Sequence, residues 1–394
     1  MNILTTGMGW IDHTPGGLNR YFADYSHAMR DRGHDIRAFV TAGGEIVAAP
    51  SYIAEVLPEK RSFGTWERMR AFRQAVGQQS RHWQPQVYNP HFALYAALIG
   101  RGQLPKDIPI VTHFHGPWAS ESRVEDRSGS SAKQIKYRLK KSLETLTYNR
   151  SDQFIVLSGY FASILSEEYG IRRDRIHIVP GAVDTERFRP AGDRASVRRE
   201  LGFANSDRVL FCVRRLVRRM GVDRLIRAFA EIAAERAEAV LVIAGDGAMR
   251  DELQELAFTL GLQNRIVFVG RVSNEQLVNW YQAADVAVVP TVTLEGFGLV
   301  TVEALACGTP VLGTPNGGTK EILGSFDDRL MFKDDSPEAM ADLLRRVLGR
   351  ETPLPDRADC RKYVMERYTW QRVAERVEAL FLQAIHDRGR KAAQ

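Results

Sequence analysis

Two glutamates separated by seven residues, Glu295 and Glu303, lie in the stretch PTVTLEGFGLVTVEALACGTPVLGTPNGG, Pro290 to Gly318. An apolar strand, ADVAVVP, leads into a loop carrying Glu295, Gly296, Phe297 and Gly298, and a helix begins at Leu299 and Val300. The free N–H groups and dipole of a helix N-terminus favour an anion above the strand end. The carboxylates of Glu295 and Glu303 repel phosphate but accept hydrogen bonds from hydroxyl groups. A phosphate beside a sugar satisfies both kinds of group.

Two further sets of residues have chemical potential. IPIVTHFHGPW reads as a strand that ends in His113, His115 and Gly116. At the carboxyl end of a strand in an open α/β sheet, such side chains line the ligand crevice. They fit a polar contact to ligand, a structural role, or two ligands of a metal whose third ligand is not evident nearby. Near the start, GMGWIDHTPGG ends in Gly16-Gly17 just before a helical pattern. This loop lacks GxGxxG, so it reads either as a tight turn or as an anion-binding helix start.

The elements that position these residues alternate along the whole chain. Asn2 to Thr6 reads as a buried strand. LNRYFADYSHAMRDRGH follows with helical spacing, and DIRAFVTA as a strand. From RVLFCVRRL onward a second series of strand–helix pairs runs to the opening stretch. The pattern predicts an α/β chain of two doubly wound, Rossmann-like domains in tandem, with a crevice between them. The domains are expected at 1–190 and 191–371, with a linker from Pro190 to about Ala204. A C-terminal helix, about 372–394, returns to the first domain.

Composition agrees with a globular protein. The 394 residues favour two domains over one core, and 44% are hydrophobic and 26% charged. A net charge of +6 permits anionic partners without demanding nucleic acid, and none is expected. Cys212, Cys307 and Cys360 are far apart and odd in number, which points to reduced thiols in a cytoplasmic protein. No signal peptide and no spanning segment is read. The stretch SRVEDRSGSS reads as a mobile loop, followed by a helix from Ala132. That helix carries Lys133, Lys136, Arg138, Lys140 and Lys141 among Ile135, Tyr137, Leu139 and Leu143. It is either a solvated face or a surface for an anionic membrane or phosphate-bearing lipid.

Several motifs occur in a fixed order. They are the Gly16-Gly17 loop, FHG at 114–116, VPGAVDTERFRP at 179–190, RRLVRRMGVDRLIRAF at 214–229 and AGDG at 244–247. FVGRV at 268–272, the Glu295/Glu303 pair, GGTKEIL at 317–323 and RYTWQRVAE near the end complete the set. Across nearly the whole chain this ordered set resembles the retaining glycosyltransferases of family 4, which have the GT-B architecture.

The resemblance implies the following roles. Glu295 contacts the hydroxyls of a donor sugar, and the backbone of Phe297 to Val300 holds sugar and diphosphate. Glu303 binds the ribose, Arg215 the diphosphate, and Val272 the base through its backbone. Gly17 approaches the phosphates, with Gly16 beside it, and His115 reaches the sugar near the reacting carbon. The family usually has a lysine where this chain has Met220, so Arg215, helped by Arg219, is expected to supply the missing charge. Gly181 stands where asparagine is common.

The implied reaction moves a hexosyl group from a nucleoside-diphosphate sugar, UDP- or GDP-linked, to an acceptor hydroxyl on a glycan or lipid-linked molecule, with retention. No cofactor beyond the donor and no metal is expected. The location implied is cytoplasmic, at the inner face of a membrane. The competing readings are a non-catalytic sugar-nucleotide-binding subunit of a transferase complex, a nucleotide-sugar epimerase, and a sugar-phosphate synthase on the same fold.

Overall fold

The computed structural model describes residues 1–14, 16–42, 49–59, 61–125 and 131–392. These form two compact units. Met1–Ala182 and Trp370–Gln394 make the first, and Val183–Thr369 the second.

The first unit contains strands β1 (Asn2–Thr6), β2 (Asp35–Val40), β3 (Ile53–Glu55), β4 (Val87–Pro90), β5 (Val111–Phe114), β6 (Gln153–Val156) and β7 (Ile176–Ile178). They pair in parallel in the orders β3-β2-β1-β4 and β5-β6-β7. A parallel bridge between Tyr88 and Ile110 links the two groups. β1 and β4 are buried on both faces, as strands with helices on either side must be. Leu4, Tyr88 and Ile110 pack there with Met69, Phe72 and Val76 of helix Thr65–Trp83. The chain winds outward from β1 through β2 and β3, then resumes at β4 on the other side of β1. The carboxyl ends of β1 and β4 are therefore a topological switch point.

The second unit repeats the device. Strands β8 (Arg208–Val213), β9 (Ala239–Ala244), β10 (Ile266–Gly270), β11 (Val286–Val289) and β12 (Val311–Gly313) form one parallel sheet in the order β10-β9-β8-β11-β12. Its switch point lies between β8 and β11. Helix Val222–Ala233 buries Leu225, Ile226, Phe229 and Ile232, a spacing of three and four residues that makes one apolar stripe.

The units divide at Ala182/Val183 and Thr369/Trp370 rather than near residues 190 and 371. Within the expected linker, Arg194–Glu200 is a helix capped by Asp193, whose side chain accepts from the N–H of Ser196 at 3.1 Å. Arg198 from this helix is 4% exposed and donates to the carbonyls of Ala204, Asp207 and Ala283 and to Asp285. Arg194 pairs with the other oxygen of Asp285 at 2.7 Å. Charge in this segment thus marks an anchored element, not a solvated tether.

Ser122 to Glu125, expected in a mobile loop, end helix Trp118–Glu125, while residues 126–130 of that stretch lie outside the described residues. The C-terminal segment is two helices, Arg357–Arg367 in the second unit and Trp370–Ala392 in the first. The latter is pinned by Arg32 to Glu378 at 2.9 Å and by Arg388 to Asp152 at 3.0 Å.

Asp285→Ala leaves Arg198 buried without its counter-charge. Breaking a buried pair from one side costs about 3–5 kcal/mol. Denaturant titration should show the unfolding midpoint of the second unit falling accordingly, and an unchanged midpoint would contradict the anchoring role.

Candidate functional site

At the switch point of the second unit, three loops are packed backbone against backbone. Gly221 has a φ of 66°, and a Cβ there would lie 2.1 Å from the carbonyl oxygen of Pro290. Gly317 has a φ of 58°, and its Cβ would lie 2.1 Å from the carbonyl oxygen of Glu295. The loops after β8, β11 and β12 are locked together by these contacts and by hydrogen bonds from Val292 N to Arg219 O and from Gly318 N to Glu295 O, both 2.9 Å. The loop after β9 joins them, since Gly245 N donates to Gly270 O at 2.7 Å and Leu216 N to Asp246 O at 2.9 Å.

Glu295 is held inside this frame. Its Oε2 accepts from Arg214 Nη1 at 2.9 Å and from Thr291 Oγ1 at 3.2 Å. Leu294, just before it, sits at φ 56°, a left-handed conformation costly for a branched side chain. Arg219 donates to the Leu294 carbonyl at 3.2 Å and so braces that turn. Gly298 caps helix Leu299–Ala306 at φ 91°, and half-exposed Leu299 and Val300 are its first two residues. Their N–H groups have no acceptor within the helix. Glu303, on the next turn, is 3% exposed and accepts from Tyr281 Oη at 3.1 Å.

Gly296, Phe297, Gly298, Leu299, Val300 and Glu295 are thus contiguous at the carboxyl end of β11, and Glu303 sits one turn down the same helix. Val272 is half-buried in the loop after β10. Arg215 is on the exposed side of the loop after β8. Arg219 is 7% exposed and its Nη1 serves the Leu294 carbonyl, so it shapes the glutamate loop. The residue that the sequence reading passed over is Arg214. It is the buried member of the Arg214-Arg215 pair and the one that reaches Glu295. Met220 is also buried, with its sulfur 3.9 Å from Thr291 Oγ1.

In the first unit, His115 is not alone. His91, from the loop after β4, and His113 stack at 4.1 Å between ring centroids, and His91 and His115 at 5.2 Å. Tyr21 and Tyr25 of helix Gly17–Asp31 close over them. Asn89 Nδ2 donates to Val111 O at 2.5 Å, which fixes the amide and leaves its Oδ1 as an acceptor. His91 Nε2 therefore donates to Asn89 Oδ1 at 2.9 Å, and His91 Nδ1 accepts from His115 Nε2 at 3.0 Å. Asn89 Nδ2 also donates to His113 Nδ1 at 2.9 Å.

This relay leaves the Nδ1 lone pair of neutral His115 as the acceptor it can offer a ligand. Burial holds the pKa of His91 and His113 well below the usual imidazole range and brings His115 down to about 3. The rings bond to one another and to Asn89 rather than converge on a point, and no three His, Cys, Asp or Glu among the described residues are grouped to hold a metal ion. Gly16 and Gly17 are exposed at the start of helix Gly17–Asp31, and a Cβ on Gly16 would meet nothing within 4 Å.

A model of "Glycosyltransferase Family 4" matches residues 15–187, and one of "Glycosyl transferases group 1" matches residues 193–367. The chain belongs to this family of glycosyltransferases, and its fold is GT-B. It is 31% identical over 255 residues to an uncharacterized glycosyltransferase of Methanocaldococcus jannaschii, a match covering 63% of this chain and 64% of that relative. It is 27% identical over 394 residues to D-inositol 3-phosphate glycosyltransferase 2 of Catenulispora acidiphila, covering 94% of this chain and 91% of the relative.

Among solved structures, sucrose-phosphate synthase from Thermosynechococcus elongatus superposes with a TM-score of 0.80 at 20% identity, over 98% of this chain and 99% of that one. Anabaena HepE, solved in complex with UDP-glucose, gives 0.74 at 18% identity, over 97% of this chain and 100% of that one. No helix of the described residues is long and apolar enough to cross a membrane.

The histidine relay makes stability depend on pH. An unfolded histidine takes up a proton near pH 6.5, whereas these rings stay neutral far below it. The unfolded state therefore binds more protons, and stability falls as pH drops through 6.5 by about 1.4 kcal/mol per pH unit for each such ring. His113→Asn should make the stability–pH slope between pH 6 and 5 shallower by that amount relative to the wild type. Parallel slopes would show that His113 is not held neutral.

Proposed function

We propose that this glycosyltransferase moves a hexosyl group from a nucleoside-diphosphate sugar to an acceptor hydroxyl, with retention of configuration and without a metal. The observation that carries this is the grouping at the β8/β11 switch point. A carboxylate fixed by Arg214 and Thr291 stands beside the first N–H groups of helix Leu299–Ala306. Hydroxyls of the sugar donate to Glu295, the diphosphate takes the helix N-terminus, and the ribose hydroxyls reach toward Glu303. The UDP-glucose bound by HepE, a protein of the same fold, supports a donor of this class. His115, with Nδ1 free to accept, suits a sugar hydroxyl on the first unit, and Gly16 and Gly17 offer a helix start to an anion.

The chemistry follows from charge. The leaving diphosphate develops negative charge as the glycosidic bond breaks, and preorganised N–H and guanidinium donors stabilise it at no reorganisation cost. The carboxylate of Glu295 is engaged by Arg214 and Thr291, which suits a sugar-binding role better than covalent attack. The acceptor hydroxyl then attacks the face from which the diphosphate departs, and the phosphate oxygen takes its proton.

We assign the acceptor to the class of glycans or lipid-linked intermediates. On helix Ser131–Arg150, Ile135 is 67% and Leu139 54% exposed, beside exposed Lys136 and Arg138, a combination suited to an anionic lipid surface. Lys140 and Lys141 contribute less. Lys140 donates to Ser122 Oγ at 2.6 Å and lies over Trp118, and Lys141 pairs with Glu168 at 3.8 Å.

Two measurements test these assignments. Incubation with UDP- and GDP-hexoses, followed by NMR of the anomeric proton, should give a product of retained configuration, and Glu295→Gln should lower turnover by about 100-fold. An inverted product would refute the retaining assignment, and a chain that binds donor but never turns it over would be a sugar-nucleotide-binding subunit instead. In sedimentation with phosphatidylglycerol vesicles, Lys136→Glu with Arg138→Glu should abolish binding seen at low salt. Equal binding of the variant would remove the helix from the membrane assignment.

A further inference from the structure

We infer that Glu144 is a positioning residue for His115, acting through the start of the helix that follows it. Its carboxylate clamps the first N–H groups of helix Trp118–Glu125, which begins just beyond His115. The inference rests on the nucleotide-sugar reading, in which His115 meets a sugar hydroxyl, and deepens it.

Glu144 lies on helix Ser131–Arg150 and is 1% exposed. Its Oε1 accepts from Trp118 N at 2.8 Å, and its Oε2 from Ala119 N at 3.3 Å and from Tyr169 Oη at 2.8 Å. A helix leaves its first N–H groups without acceptors, and a carboxylate there also meets the positive end of the dipole. Pro117 has no N–H, so Trp118 and Ala119 are the first donors this helix offers. The platform that carries the carboxylate is firm. Further along the same helix, Thr147 Oγ1 donates to Ala93 O at 2.7 Å and Arg150 Nη1 to Ala97 O at 2.8 Å.

The clamp reaches His115 through a short, stiff segment. Gly116 has a φ of 139°, and a Cβ there would lie 2.9 Å from Glu121 Oε1 and 3.2 Å from the Phe161 ring. Pro117 fixes its own φ, and its carbonyl accepts from Glu121 N at 2.9 Å. A shift of the helix start is therefore passed to the His115 backbone rather than absorbed. Burial pushes the Glu144 carboxyl up to about 7, against the pull of its hydrogen bonds. From the clamped helix, Glu121 pushes it the same way, and Arg123 lies over the Tyr137 ring. On its own helix, Lys140 and Lys141 lie over the Trp118 and Tyr169 rings, and Tyr148 is buried beside it. Glu168, next to Tyr169, is taken up by Lys141 and Ser120. β5 presents the uncharged Phe114 ring to Tyr148 and Tyr169. Once Glu144 takes a proton, the charge facing the helix start is gone, and one oxygen becomes a donor. The clamp thus holds above about pH 7 and slackens below it.

Two readouts on the full chain test this. With isotope-labelled tryptophan, the NMR signal of the Trp118 backbone amide, assigned by its loss in Trp118→Phe, should titrate with a midpoint of about 7. In Glu144→Gln that titration should vanish. Tyr169→Phe removes a hydrogen bond to the ionised form, so the midpoint should move to higher pH. With whichever UDP- or GDP-hexose the wild type turns over, kcat should fall by about tenfold from about pH 8 to about pH 6, as one such group protonates. Glu144→Gln should be about tenfold slower than the wild type at about pH 8 and should lack that step. In a His115→Ala background, Glu144→Gln should cost less than about twofold, because it acts through His115.

A Trp118 amide that titrates alike in the wild type and in Glu144→Gln would overturn the clamp. Equal losses from Glu144→Gln with and without His115 would make Glu144 a structural residue and overturn its positioning role. If the wild type turned over neither kind of donor, the nucleotide-sugar reading would fail and take the role in its reaction with it. The Trp118 titration tells that case from a missing clamp. Thermal midpoints show whether each variant keeps its fold. Should Glu144→Gln fail to fold, Tyr169→Phe carries both arms. Its amide and kcat midpoints should rise together, and midpoints that part would overturn the proposal.

Discussion

Everything at the second unit's switch point depends on how closely its loops approach one another. Five glycines bring backbone to within a distance no Cβ permits. Gly221 lies on Pro290, Gly245 on Arg214, Gly247 on Leu216, Gly317 on Glu295 and Gly318 on Phe297. The carbonyls and N–H groups so exposed to one another leave the loops no freedom to slide. That rigidity is what lets Leu294 occupy a left-handed φ and lets Glu295 be aimed rather than tethered. A side chain at any of the five positions would force neighbouring loops away from each other and release the carboxylate.

The strands and helices of both units were legible because each is long enough to show its own period. β8, β9 and β11 are apolar runs, and helix Val222–Ala233 carries an unbroken stripe. The same burial hid the site residue. In a strand covered on both faces, alternation carries no information about inside and outside. The residues that continue such a strand inherit the ambiguity, so the apolar pattern does not say which of Arg214 and Arg215 is buried. His91 was hidden for a related reason. In VYNPHF it looks like a turn residue, and only the pairing of β1 with β4 and the bridge to Ile110 bring it beside His113 and His115. Charge in Arg194–Glu200 misled in the opposite sense, since its partner Asp285 lies far along the chain.

The two units solve opposite electrostatic problems with the same topology. In the first, the switch-point side chains are imidazoles held neutral by burial and by one amide, so they present lone pairs and N–H groups without net charge. That suits hydroxyl ligands, which need orientation more than attraction. In the second, a carboxylate, a guanidinium and a helix N-terminus share one small volume. That suits a ligand whose parts differ in charge. Topology supplies the crevice in both cases, and the residue types decide what it holds.

Two buried arginines of the second unit are satisfied to different degrees. Arg198 and Arg214 are both buried and both paired with a carboxylate. Arg198 gives its two terminal nitrogens to three carbonyls and Asp285, so its burial is repaid within the fold. Arg214 is left with two nitrogens idle. Buried polar groups of folded proteins are satisfied in the great majority, because each one that is not lowers stability. A chain that can satisfy one buried arginine four times over has no general shortage of acceptors. At Arg214 the unpaired nitrogens lie on the guanidinium whose Nη1 holds Glu295, in a loop where Gly245 leaves no room for a Cβ.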